Sequence, residues 1–217
     1  MPDLEFQVTG VEAATRGLTP LLHFKLEISN KPEKETIQAV MLHAQVQIQT
    51  PQRAYNADEK EKLVELFGAP ERWGQTLRNR LWGFCNTTVG AFAGKVETVL
   101  AMPCTFDLNV AATKYFQGLE EGDAPVLFLF SGSVFYESKG GQLQVEQISW
   151  NKECAYRMPL QAWRDLMEHH FPNSAWFYVN RDVFERLCAY KRSQGFTNWD
   201  ETISCLLGDE EKARAAV

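Results

Sequence analysis

One stretch of alternating side chains constrains the fold of this chain more than any other feature of its sequence. In VMLHAQVQIQT, from Val40 to Thr50, every second residue is apolar and the residues between them are mostly polar. Successive side chains of a β-strand point to opposite faces, so this period of two predicts a strand with one buried and one polar face. We expect C-terminal helices to cover the apolar face, and water or a partner to meet the polar one.

The same period of two occurs in two earlier segments, LEFQVTGV and LLHFKLEIS. The three segments together predict an antiparallel start to a sheet, in which His23 and Lys25 lie beside the polar face of the third strand. Later in the chain, APVLFLFSGSVFYES is typical of a central strand, and Gly140 and Gly141 predict a hairpin turn. Within that run, Leu129 is expected to be a core residue whose truncation to alanine costs roughly 2–5 kcal/mol.

The apolar period changes to that of a helix in the middle of the chain and again near its end. NADEKEKLVELFG predicts a helix that begins after Asn56 or Asp58 and ends at Gly68. APERWGQTLRNRLWGFC favours a second helix, so the predicted helical insertion spans residues 56–84. MPLQAWRDLMEHHF, NRDVFERLCAYKRSQG and NWDETISCLL predict further helices over residues 159–207.

These elements define an α+β fold, with a mostly antiparallel sheet from residues 1–157 and C-terminal helices packed on it. No Pro/Ser/Gly-rich linker or charge block divides the chain, so we expect a single domain over residues 1–217. Residues 208–217 are expected to form a flexible tail. His169 and His170 end the first C-terminal helix, where their charge suits the negative end of the helix dipole.

Composition excludes several classes of protein. The net charge is -6, and basic residues alternate with acidic ones instead of clustering, so no footprint for nucleic acid is expected. The N-terminal segment resembles a strand rather than a signal peptide, and no apolar stretch is long enough for a membrane span. We therefore expect a cytoplasmic protein without membrane insertion.

The residues that commonly bind metals do not form a metal-binding pattern. The five cysteines are far apart and include no C-x-x-C pair, which predicts free thiols rather than disulfides or a zinc site. His23 and His43 are expected to be solvated on the sheet surface, because a metal site requires a third ligand. We expect no metal and no cofactor.

Common catalytic motifs are missing from the sequence. It contains no G-x-S-x-G, Walker, G-x-G-x-x-G or H-E-x-x-H pattern. LFSGS carries Ser131 and Ser133, but within a predicted strand. An enzyme remains the alternative, with a pocket near Cys104–Asp107, Lys114 and Tyr115, although a neighbouring carboxylate raises the pKa of a thiol and weakens it as a nucleophile.

Residues suited to protein contacts are more prominent than catalytic ones. The polar face of the strand predicted over Val40–Thr50 carries glutamines, which present both donors and acceptors. This strand is followed by segments rich in Arg, Trp and Tyr, the residue types that contribute most to binding energy at interfaces. Trp82 and Trp163 are expected in the core. The candidate interaction residues are His43, Gln45, Gln47, Gln49, Arg53, Tyr55, Arg72, Trp73 and Arg78.

Several long stretches of the chain resemble a bacterial family known as domain of unknown function 6084. Among these stretches are HAQVQIQTPQRAYNADEKEKLVELFGAPERWGQTLR and WNKECAYRMPLQAWRDLMEHHFP. The resemblance extends over most of the chain and implies no activity, cofactor or catalytic residue. It implies a gene context, because members of the family are often encoded near nickel–iron hydrogenases and their maturation factors.

The sequence and the resemblance together predict a non-enzymatic accessory protein whose partner is a hydrogenase subunit or a maturation factor. A holding chaperone is a second alternative, because strands followed by helices resemble the element order of the export chaperone SecB. Self-association stays open at this stage.

Overall fold

The computed structural model describes residues 2–105, 110–138, 140–176 and 178–215. The strands are β1 (Asp3–Ala13), β2 (Leu21–Lys31), β3 (Thr36–Ile48), β4 (Arg80–Val89), β5 (Phe92–Ala93), β6 (Lys95–Pro103), β7 (Asp123–Glu137), β8 (Leu143–Gln147) and β9 (Glu153–Pro159). The helices are α1 (Ala57–Lys62), α2 (Val64–Phe67), α3 (Trp73–Thr76), α4 (Val110–Gly118), α5 (Leu160–His170), α6 (Arg181–Gln194) and α7 (Trp199–Ala215). The chain divides into two compact units, Met1–Ser174 and Ala175–Val217.

The strands of the first unit form two antiparallel sheets. The smaller sheet has the order β1-β2-β6, and the larger has the order β4-β3-β7-β8, with β5 beside β3 and β9 beside β7. The α+β class and the three early strands are confirmed. The predicted pairing of β2 with β3 is wrong, because β2 pairs with β1 and β6 while β3 pairs with β4, β5 and β7. His23 and Lys25 therefore belong to a different sheet from the polar residues of β3.

The two sheets pack through their inner faces. Phe6 of β1 stacks on Phe130 of β7 with ring centroids 4.4 Å apart, and Phe24 of β2 lies 5.0 Å from Phe128 of β7. The smaller sheet thus covers the inner face of the larger one, a role that the sequence pattern assigned to C-terminal helices. The side chains of β3 that face the smaller sheet between Val40 and Ile48 are at most 1% exposed, namely Val40, Leu42, Ala44, Val46 and Ile48.

The helical insertion begins as predicted but is shorter. The Asn56 side chain accepts a hydrogen bond from Glu59 N at 2.7 Å, which caps α1, and α2 ends at Gly68 with a φ of 76°. The second predicted helix is wrong beyond Thr76, because residues 80–89 form β4 instead. Glycine destabilises a helix interior, and Gly83 lies at the irregular register of β4, opposite Val46 of β3.

Two helices complete the first unit. Helix α4 was not predicted from the sequence, and it buries Tyr115 and Phe116 almost completely. Helix α5 was predicted, and it buries Leu160, Trp163 and Leu166. Its last two residues were expected to cap the helix, but they contact the segment after β1 instead. The Nε2 atoms of His169 and His170 lie 3.0 and 3.2 Å from the carbonyl oxygens of Thr15 and Ala14.

The second unit is a pair of helices, α6 and α7. Helix α6 ends at Gly195 in the left-handed conformation, and Asn198 Oδ1 accepts a hydrogen bond from Glu201 N at the start of α7. Helix α7 continues through residues 208–215, which were expected to form a flexible tail. The single-domain organisation stays a prediction. No helix in the described part of the chain is long and apolar enough to cross a membrane.

Candidate interaction surface

The polar side of β3 lies on the outer face of the larger sheet, as the alternating sequence predicts. Met41, His43, Gln45 and Gln47 point away from the core, because the apolar residues between them fill it. The Nδ1 atom of His43 lies 2.8 Å from Asn86 Oδ1 on β4. The polar side of β3 is therefore flanked by strands on both sides, and its side chains have neighbours on β4 and β7.

Apolar side chains lie on the same outer face beside the glutamines. Phe84 of β4 is directly opposite Gln45, and Leu81 is opposite Gln47. On the other side, Leu129 and Leu127 of β7 lie opposite the same two glutamines. Phe84 is 60% exposed and Leu81 is 48% exposed, whereas the two β7 leucines are half-buried. This combination of exposed apolar groups with amide side chains is what a wet protein interface presents.

We use the name outer patch for this part of the larger sheet. It consists of Met41, His43, Gln45, Gln47, Leu81, Phe84, Asn86, Leu127 and Leu129.

A cleft of about 320 Å³ lies where the helical insertion meets the start of β4. It is connected to the outer patch, because Asn79 Nδ2 donates a hydrogen bond to Gln47 Oε1 at 3.4 Å. Arg80 Nη2 donates to Leu66 O at 3.1 Å, and its guanidinium lies 4.9 Å from the Phe67 ring centroid. We use the name arginine cleft for the space lined by Leu66, Phe67, Thr76, Leu77, Arg78, Asn79 and Arg80.

Arg53, one of the predicted contact residues, takes part in a buried ion pair. Its Nη2 atom lies 2.5 Å from Glu59 Oε1, and its side chain is only 10% exposed while that of Glu59 is 3% exposed. It also donates to the carbonyl oxygens of Asp123 and Glu121 at 2.8 Å each. Through these contacts, Arg53 connects the segment before α1 to the loop before β7.

The other aromatic candidates in this region are also internal. The Tyr55 hydroxyl donates to Thr50 O at 2.8 Å and lies 3.1 Å from the Tyr115 hydroxyl, and burial raises the pKa of Tyr55. Trp73 is 5% exposed, and its Nε1 donates to Gly68 O at 2.9 Å. The rings of Tyr55 and Trp73 pack edge to face at 5.3 Å. These contacts hold the helical insertion in place, which in turn supports the arginine cleft.

The structure therefore separates the nine predicted contact residues into an exposed and an internal group. His43, Gln45 and Gln47 belong to the outer patch, Arg78 lines the arginine cleft, and Arg72 is exposed outside it. The internal group is Gln49, Arg53, Tyr55 and Trp73. A binding role stays a prediction for each of the nine.

Several residues of the surface were missed because the helix predicted over 69–85 hid their position. Leu81 and Phe84 are outer-patch residues, and Asn79 and Arg80 line the cleft. A signal was present in the sequence, since the run Thr87-Thr88-Val89 is β-branched and two glycines interrupt the helical pattern.

The pocket suggested for an enzyme is not supported by the residues that the structure describes. Burial raises the pKa of the Cys104 thiol to about 12, so the thiol stays protonated at neutral pH. Lys114 pairs with Glu65, and Tyr115 is fully buried. Residues 106–109, including Asp107, lie outside the described part of the chain.

Ser131 and Ser133 lie on the outer side of β7, and the reason for the glycine between them is steric. Gly132 has a φ of 135°, and a Cβ atom there would be 2.0 Å from Met41 O on β3. Among the described residues, no three His, Cys, Asp or Glu side chains are arranged to hold a metal ion.

The fold and the surface define a protein of two packed antiparallel sheets, with helical additions and a sheet face that combines amide and apolar side chains. The chain belongs to the family of unknown function DUF6084, whose model matches residues 1–215. No curated protein matches the chain at a significant level.

Two solved structures show partial similarity. One is the CARDB domain of a Pyrococcus furiosus protein, with a TM-score of 0.27 and 12% identity over 73% of this chain and 94% of that domain. The other is a protein described as late embryogenesis abundant, with a TM-score of 0.27 and 12% identity over 73% of this chain and 72% of that chain. Similarity at this level carries no argument about function.

Proposed function

We propose that this protein is a non-enzymatic accessory protein that binds a protein partner through the outer patch. The observation that carries the proposal is the exposure of Phe84, Met41 and Leu81, which are 60, 50 and 48% exposed, around the glutamines of β3. The solvated face of an antiparallel sheet normally presents polar side chains between buried apolar ones. Exposed apolar side chains gathered on such a face mark a contact site.

The chemistry of the outer patch suits a partner that offers both apolar and main-chain groups. Each glutamine carries two N–H donors and one carbonyl acceptor, so Gln45 and Gln47 can satisfy either kind of group on a partner. Phe84 offers an aromatic ring at the edge of the same row. Because the family resemblance implies a hydrogenase gene context, hydrogenase subunits and maturation factors are the first partners to test.

The test compares two double variants that add the same charge to different sheets. Gln45→Lys/Gln47→Lys places two charges in the outer patch, and Gln7→Lys/Thr9→Lys places two on exposed positions of β1 in the smaller sheet. Each variant is compared with the wild type by melting temperature and by capture of hydrogenase proteins from the native host.

We expect both variants to fold, because surface substitutions usually change stability by less than about 0.5 kcal/mol. Only the outer-patch variant should lose capture, since its charges would be desolvated in the interface. Equal capture by the two folded variants would remove the outer patch from the function.

A further inference from the structure

Among the residues that the structure describes, the two guanidinium groups of the arginine cleft form no ion pair with a carboxylate. Arg78 lies in the segment just before β4, Arg80 is the first residue of β4, and both line the cleft. Among the described residues, no Asp or Glu oxygen forms an ion pair with either arginine. Other basic side chains do have such partners, as Lys25, Arg53, Lys62, Lys95, Lys114 and Lys152 show.

The two guanidinium groups of the cleft use only part of their hydrogen-bonding capacity on main-chain carbonyl groups. Each guanidinium carries five N–H donors. In the structure, Arg78 Nη1 donates to Leu77 O at 2.8 Å and Arg80 Nη2 donates to Leu66 O at 3.1 Å. These main-chain bonds position the two side chains and leave donors for a further acceptor, and the acceptor that matches a guanidinium best is a carboxylate or a phosphate.

The remaining walls of the cleft favour an anion that carries an apolar group. Leu66, Phe67 and Leu77 line it together with the polar residues, and the Arg80 guanidinium lies over the Phe67 ring. A hydrated inorganic anion would gain nothing from these side chains, whereas an acidic peptide segment with an adjacent leucine or phenylalanine would use both kinds of wall.

We infer that the arginine cleft binds a glutamate or aspartate carboxylate of an acidic peptide segment that also carries a large apolar side chain. This inference rests on the proposed function, because the Asn79–Gln47 hydrogen bond makes the cleft an extension of the outer patch. A partner chain that crosses the outer patch along β3 reaches the cleft at the end of that strand. The cleft then sets the position of the bound segment by its charge.

The experiment is an affinity selection with a defined peptide pool. Immobilised protein is incubated with random hexapeptides of glutamate, glutamine, leucine, phenylalanine and alanine, and the retained peptides are sequenced by mass spectrometry. Four proteins are compared: the wild type, Arg78→Ala, Arg78→Lys and Arg72→Ala. Arg72 is the matched control, because it is an exposed arginine of the same segment that does not line the cleft.

We expect the wild type and Arg72→Ala to retain peptides enriched about ten-fold in glutamate over glutamine next to leucine or phenylalanine, because a charge-assisted hydrogen bond is worth that factor or more. Arg78→Ala should lose the enrichment, and Arg78→Lys should keep part of it, since lysine retains the charge but cannot form a bidentate contact. Selection without preference for glutamate, or an Arg78→Ala result equal to the wild type, would overturn the inference.

Inorganic phosphate, added in a parallel selection, separates a peptide site from a general anion site. We expect millimolar phosphate to leave most of the selected peptides bound, because it lacks the apolar group. Complete displacement would show that the cleft recognises a small anion and would overturn the peptide assignment.

Capture of hydrogenase proteins is measured for the same variants, so that the two proposals can fail separately. If the outer-patch variant loses capture while the pool shows no preference for glutamate, the cleft inference fails and the proposed function stands. If the preference depends on Arg78 but the outer-patch variant keeps capture, the proposed function fails.

Discussion

At the scale of single residues, the same side chain can serve an interface or a buried network, and the sequence does not distinguish them. Arg53 and Tyr55 follow the polar strand directly, as anchors of a binding surface would. The structure instead gives Arg53 a carboxylate six residues away and two carbonyl groups about 70 residues away. The carbonyl contacts depend on tertiary structure, so no local pattern around PQRAY could have predicted them.

The buried pair leads to a prediction about stability. Arg53→Ala should destabilise the fold by about 3–5 kcal/mol, because it leaves the Glu59 carboxylate buried without its positive partner. Chemical denaturation of this variant and of Arg72→Ala provides the measurement, and the exposed Arg72 should change the unfolding free energy by less than about 0.5 kcal/mol. An Arg53→Ala variant that keeps its stability but loses partner capture would show that Arg53 is a contact residue after all.

Gly132 provides a second prediction at this scale. Its φ of 135° and the 2.0 Å that would separate a Cβ atom from Met41 O leave no room for a side chain. We expect Gly132→Ala to lose more than about 3 kcal/mol, the sum of backbone strain and a displaced β3–β7 contact. The neighbouring Ser131→Ala, at an exposed position, should melt close to the wild type. A Gly132→Ala protein with an unchanged melting temperature would contradict the close approach of the two strands.

At the scale of elements, the period of the apolar residues and the length of each run allowed several strands and helices to be predicted. The alternation in β1, β2 and β3 identified these strands, and caps at Asn56 and Gly68 identified the ends of the α1–α2 segment. β4 was mistaken for a helix because its bulge, opposite Val46 and Gln47, breaks the period of two. A continuous apolar run does not reveal which of its residues face inward, and β7 is such a run.

The inward face of β7 yields a prediction that differs from the expectation based on sequence. Leu129 was expected to be the costly position, but it is half-buried on the outer face, whereas Phe128 is 0% exposed. Phe128→Ala should therefore destabilise the protein by about 3–5 kcal/mol through the cavity it creates. Leu129→Ala should cost well under half of that value. Denaturation midpoints of the two variants decide the orientation, and the opposite order would mean that β7 is shifted by one residue.

At the scale of the whole molecule, the division of the strands between two sheets could not be predicted from the sequence. β2 and β3 are consecutive and both alternate, yet one belongs to each sheet. Which sheet a strand joins depends on packing between the sheets, such as that of Phe24 on Phe128, which are far apart in sequence. The outer patch follows from the same division. It combines β4, β3 and β7, and only the β3 part could be predicted from its own sequence.

The core formed between the sheets also contains two thiols. Because of them, the free energy of unfolding should depend on pH in the alkaline range. Burial raises the pKa of Cys85 and of Cys104 to about 12 from an ordinary value of 9.0. The Cys85 thiol lies 3.5 Å from Met102 Sδ, and Cys104 Sγ donates to Met102 O at 3.5 Å. Ionising either thiol in the folded protein would place a charge in this apolar environment.

The sign of the effect follows from the direction of the shift. Above pH 9 the unfolded chain loses these two protons while the folded protein keeps them, so their stabilising effect is complete below pH 9 and is lost as pH rises toward 12. The free energy of unfolding should fall by up to about 1.4 kcal/mol per pH unit for each thiol in this range. Buried Tyr115, whose pKa is also raised by burial, contributes in the same direction at higher pH.

Urea denaturation of the wild type, Cys85→Ala and a Cys188→Ala control at a series of pH values from neutral to alkaline tests this prediction. Cys85→Ala should be less stable than the wild type at neutral pH because it removes a core side chain, yet its unfolding free energy should decline less steeply above pH 9, since one of the two buried protons is gone. Cys188 is a half-buried cysteine of the second unit, and its variant serves as the control for the substitution itself. Parallel slopes for the wild type and Cys85→Ala would show that this thiol ionises as readily in the folded protein as in the unfolded chain, which the packing of Cys85 against Met102 between the two sheets does not allow.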